Sequence, residues 1–168
     1  MNGRVFIGGL GSTVMGDDGI GPRLIAMLEE RCTFPENVDI VDIGTPGLGL
    51  MSFIIGYDTV VLIDAVHDAG APGSVKIYSR EDLLKRPLLN RVSPHDPAVS
   101  EALLTADMLG EPIDTVVLIG IIPERCSLST EMTETMKKRT EELFRFTIDT
   151  LHALGIAVQW NVEIPEYA

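Results

Sequence analysis

Two stretches constrain this chain more than any others: Thr59 to Ala65 (TVVLIDA) and Thr115 to Ile122 (TVVLIGII). A strand with one wet face alternates apolar and polar side chains. A continuous apolar run needs cover on both faces, the condition of a parallel sheet between helical layers. The first run ends in an aspartate and the second is closed by Pro123.

The segments around them fit that frame. Arg4 to Gly8 reads as a first short strand, and Ile20 to Arg31 carries Ile20, Leu24, Ile25 and Leu28 at helical spacing. Pro22 suits the first turn of that helix, where its missing N–H is no loss. Val38 to Ile43 reads as a strand ended by the turn GTPG, Leu48 to Ile55 as a short helix, and Ser74 to Tyr78 as an edge strand. Ser79 to Val92 reads as a loop with one helical turn. Pro97 to Leu109 reads as a helix. Thr133 to Leu154 reads as a long amphipathic helix using Met136, Leu143, Phe146, Ile148 and Leu151, capped by Gly155. Ile156 to Trp160 reads as a last strand, followed by a loosely attached tail. Strands alternating with helices predict α/β architecture: a single doubly wound, mostly parallel twisted sheet flanked by helices on both faces. The 168 residues form one domain, without repeat or linker.

Composition narrows the partners. Thirteen basic residues against 25 acidic ones leave a formal net charge of −12. Such a chain is a poor match for nucleic acid or an anionic membrane surface. No apolar stretch approaches the ~20 residues that span a bilayer, and the first residues lack the apolar core of a signal peptide. Cys32 and Cys126 are too few and too far apart for a disulfide framework or a CxxC zinc site, so both read as reduced thiols in a cytoplasmic protein.

The turn GGLGSTVMGDDGIGPRL (residues 8–24) follows the first strand and opens the first helix. Such turns commonly cradle phosphate, but this one carries Asp17 and Asp18. Val14 stands where a dinucleotide fingerprint needs its third small residue, and no lysine precedes Lys76, so neither a Rossmann motif nor a P-loop is present. No nucleotide is expected. Asp17 is read as a helix-start residue, favoured there by free N–H groups and the dipole. Asp18 has company. Asp64 ends an apolar strand, and His95 lies in SPHD before a helix. All three fall on strand-to-helix connections, and a doubly wound sheet gathers its ligands at that edge. Two carboxylates and an imidazole make an O,O,N set suited to a divalent transition ion, with positions left for water or substrate. His67 lies close to Asp64 on a loop without fixed geometry. His152 suits the end of the last helix, and Glu124 suits the rim of the crevice.

Five segments, in order, resemble the hydrogenase maturation proteases, the endopeptidases that trim the large subunit of [NiFe] hydrogenases: GLGSTVMGDDGIG, DIGTPG, VVLIDAV, SPHD and LIGIIPE. The resemblance covers most of the chain and implies the same twisted α/β sheet. It implies that Asp18, Asp64 and His95 are the metal-binding and catalytic set, engaging the nickel carried by the large-subunit precursor. It also implies removal of a C-terminal extension only after nickel insertion. Ser12 departs from the asparagine common after Gly-x-Gly, and serine still makes the local turn bond. Aspartate at 18 is an accepted variant of glutamate.

Neither a G-x-S-x-G elbow nor a cysteine nucleophile motif is present, so direct attack by water is expected, with an aspartate as general base. Two versions suit the ligand set: nickel as the catalytic ion, or nickel as a recognition tether that aligns the scissile bond. The resemblance favours the tether. A nickel-sensing module without hydrolytic power would use the same three residues.

Overall fold

The computed structural model describes residues 3–85 and 96–161. In chain order the elements are β1 (Val5–Leu10), a 3-10 turn (Gly16–Gly19), α1 (Ile20–Arg31), β2 (Cys32–Thr33), β3 (Val38–Gly44), a 3-10 turn (Gly47–Leu50), α2 (Met51–Ile54), β4 (Thr59–Ala65), β5 (Val75–Ser79), α3 (Arg80–Lys85), α4 (Asp96–Met108), β6 (Thr115–Ile121), α5 (Glu134–Ala153) and β7 (Gln159–Trp160).

Five strands form the main sheet in the order β3-β1-β4-β6-β5. β1 pairs in parallel with β3 and β4, and β4 with β6, while β5 closes one edge antiparallel to β6. The apolar runs occupy the middle: β4 is buried along its whole length. Alternation along each strand sends side chains to two separate cores. Val5, Ile7, Val61, Ile63 and Ile119 pack under α1 and α5. Phe6, Leu10, Val60, Leu62 and Leu118 pack under α2, α3 and α4. This is the expected doubly wound sheet with helices on both faces.

Close approach of α1 to the sheet depends on Gly21. A Cβ there would lie 2.2 Å from the Leu10 carbonyl oxygen and 2.6 Å from that of Ile63. The helix therefore starts directly against the ends of β1 and β4, which fixes where the preceding acidic turn stands.

Several local readings change. The helix expected over 48–55 is a 3-10 turn followed by one α-turn. In α5 the buried aromatic is Phe144 at 1% exposure, while Phe146 is 38% exposed. Phe144 shares the stripe of Met136, Thr140, Leu143, Thr147, Ile148 and Leu151, and Phe146 is rotated off it. The last strand shrinks to β7, which pairs antiparallel with β2 in a separate two-stranded ribbon. Gly155 follows α5 with φ of 76°, the left-handed cap its sequence position predicts. Residues 86–92 of the expected loop lie outside the described residues, as does the tail from 162.

Candidate active site

β1, β4 and β6 run parallel, so the connections that follow them emerge at one edge of the sheet. β4 lies between the other two. The turn after β1 and the loop after β6 meet beyond its end. Gly16 N–H donates to the Ser129 carbonyl at 2.8 Å, Asp17 N–H to that of Arg125 at 3.1 Å, and Ser129 N–H to that of Val14 at 3.0 Å.

The neighbouring aspartates have separate roles. Asp17 is fully buried. It does not cap α1: that helix has Gly19 at its N-cap and no side-chain cap bond. Its Oδ2 accepts from the backbone N–H groups of Glu124 (2.9 Å) and Arg125 (3.0 Å). Its Oδ1 accepts from Thr133 N–H at 2.7 Å, and the Thr133 hydroxyl lies 3.0 and 2.9 Å from its two oxygens. Carboxylates suit such a site because both oxygens accept and neither donates. The helix-start role read from sequence is thus replaced by a long-range tie. The carboxylate is saturated by donors, which leaves it no part as a ligand.

Asp18 is only partly buried. Its Oδ2 accepts from Ser12 N–H at 2.7 Å, and its Oδ1 accepts no hydrogen bond among the described residues. The departure at position 12 therefore leaves the main-chain bond to Asp18 in place. Gly11 makes this geometry possible. It sits at φ of 122°, and a Cβ on it would lie 1.9 Å from the Asp18 carbonyl oxygen.

Asp64, the penultimate residue of β4, is 1% exposed. Asp18 and Asp64 are linked through a residue that sequence reasoning set aside. The Cys126 thiol is pushed up to about 11, first by burial, then by the carboxylates of Asp18 and Asp17, with Asp64 adding to the effect. The Asp18 backbone N–H, which donates to the Met15 carbonyl at 3.4 Å, opposes part of the shift. Three carboxylates thus act on one thiol. At neutral pH about one thiol in ten thousand is ionised, so Cys126 is a poor nucleophile, as its lack of a motif implied.

His95 lies outside the described residues. α4 begins at Asp96, and its Val99, Ala102 and Leu103 share a core with Leu62 and Val66, on either side of Asp64 in the chain. Among the described residues no three His, Cys, Asp or Glu side chains form a group able to hold a metal ion. The described residues place two of the three predicted ligands in one neighbourhood. Asp18 has one carboxylate oxygen oriented by a backbone amide, and its other oxygen accepts no hydrogen bond among the described residues. His67 is exposed, and Glu124 contributes its backbone to Asp17 while its side chain is exposed.

A groove of about 520 Å³ is lined by Thr13, Gly19, Arg23, Asp42, Glu131 and Lys137 among others. Neither Asp18 nor Asp64 lines it.

The family model described as hydrogenase maturation protease matches residues 22–150. The chain belongs to the hydrogenase maturation proteases. This maturation protease is 29% identical over 154 residues to the hydrogenase 2 maturation protease of Escherichia coli K12, covering 91% of the chain and 93% of that relative. It is 30% identical over 148 residues to the hydrogenase expression/formation protein HoxM of Cupriavidus necator, covering 88% and 73%. The E. coli hydrogenase maturating endopeptidase HybD superposes with a TM-score of 0.83 at 26% identity, over 94% of this chain and 98% of that one. A hydrogenase 2 maturation peptidase from a Thaumarchaeota archaeon superposes at 0.64 and 32% identity, over 90% and 98%. The protein is accordingly a peptidase. None of its described helices is long and apolar enough to cross a membrane.

Proposed function

We propose that this protease removes the C-terminal extension of a [NiFe] hydrogenase large-subunit precursor once nickel has been inserted. Asp18, Asp64 and His95 engage the nickel that the precursor carries, and no nucleotide takes part. The observation that supports this reading most is the shared neighbourhood of Asp18 and Asp64 around Cys126, at the sheet edge where such folds hold ligands. The reaction takes place in the cytoplasm.

In this reading the nickel belongs to the substrate and supplies a fixed point of attachment. The protein's carboxylates hold that point and so align the scissile peptide, turning an encounter of free partners into a positioned one. An aspartate takes the proton of the attacking water, the water oxygen bonds to the carbonyl carbon, and the aspartate passes that proton to the departing amine as the C–N bond breaks. The neutral thiol of Cys126 stays out of this chemistry.

Incubating the purified protein with nickel-loaded precursor and weighing the large subunit by mass spectrometry tests the reading. Loss of a C-terminal peptide is expected. An intact subunit bound to folded protein would make it a nickel-sensing binding module instead.

A further inference from the structure

Asp17 is a fully buried acid held by donors from three residues, and nothing in the chemistry above uses it. Its carboxylate joins the turn after β1 to the loop after β6 and to Thr133, the N-cap of α5. Those two connections flank β4, the strand that ends beside Asp64. Asp18 is the next residue, and Cys126, whose thiol the Asp18 carboxylate influences, follows directly on the two amides that Asp17 holds. Thr133 completes a relay: its hydroxyl meets Asp17 and also accepts from Met136 N–H at 3.4 Å.

We propose that Asp17 is a positioning residue for peptide cleavage, a buried clamp that sets the geometry between Asp18 and Asp64. This rests on the processing reading given above. Asp17 stands in the turn on the β1 side of β4 and its donors all come from the β6 side, so loosening the clamp lets the acidic turn and the β6 loop separate. Misplacement of such groups by about 1 Å costs on the order of 10²-fold in rate. Asparagine cannot replace the aspartate, because its NH2 group would face N–H donors.

The test compares wild type with Asp17→Asn, Thr133→Val, Thr133→Ser and a stability control, Ile148→Val in the α5 core. The control removes about as much stability as loss of the Thr133 cap does. Turnover and KM are measured on nickel-loaded precursor, together with the rate at which a thiol reagent labels Cys126. The clamp predicts turnover about 10²-fold lower in Asp17→Asn and about tenfold lower in Thr133→Val, with KM nearly unchanged. Thr133→Ser should restore turnover, Ile148→Val should match wild type, and Cys126 should label faster in the two damaged variants. Should Asp17→Asn not fold, Thr133→Val carries the comparison. Wild-type turnover in the folded variants, or an equal loss in Ile148→Val, overturns the clamp. If wild type leaves the precursor whole, the processing reading fails and labelling alone decides: faster labelling in Thr133→Val supports the clamp, and an unchanged rate overturns it.

Discussion

Asp17 and Asp18 are chemically identical and adjacent, yet one is a tie and the other a candidate ligand. Burial and donors make the difference. Asp17 is enclosed by N–H and O–H groups from residues 107 to 116 positions away, whereas Asp18 keeps one oxygen uncommitted among the described residues. Asp18→Asn is therefore expected to lower processing by about 10²–10⁴-fold while leaving the urea midpoint nearly unchanged. Near-normal cleavage would remove Asp18 from the site. Cys126 offers an independent probe. Its thiol lies near 11 rather than 9, so burial and the carboxylates favour the protonated form. Labelling by iodoacetamide should be slow at pH 8 and accelerate only as pH climbs from 9 towards 11. Asp18→Asn removes one of the charges raising that value and should speed labelling at pH 8. An unchanged rate would place Asp18 away from the thiol.

At the scale of elements, packing decided what periodicity could not. Helix α1 needs Gly21 because two carbonyl oxygens occupy the space of its missing side chain. Gly21→Ala is expected to cost about 1–3 kcal/mol in urea unfolding, the usual range for overpacking. A neutral result would mean that α1 stands farther from β1 and β4. The last strand is shorter than its apolar pattern predicts for a related reason. Apolar residues from Ile156 onward suggested a strand, but only Gln159–Trp160 finds a partner, the short β2. Trp160 instead gives its ring to Phe144, edge-on at 5.4 Å. A strand exists where a neighbour supplies hydrogen bonds, and that neighbour lies far away in sequence.

At the scale of the molecule, the proposed reading makes nickel on the substrate the signal that the precursor is ready. A nickel-free precursor should therefore remain uncut under conditions in which the loaded form is processed fully, as read by mass. Equal cleavage of both would remove the gate. Much of this organisation was legible in the residues alone. Unbroken apolar runs can only be buried on two faces, so the parallel sheet, its two helical layers and the edge carrying Asp18 and Asp64 followed from local pattern. The motifs in order pointed to the same family that the family model matches. What the residues could not reveal were relations between distant segments: Asp17 meeting Thr133 across 116 positions, and Cys126 seated among three acids. Local sequence sets which elements form and which faces they hide, because those depend on neighbours a few residues away. Hydrogen bonds and charge environments depend on which loops meet, and only the folded chain brings those loops together.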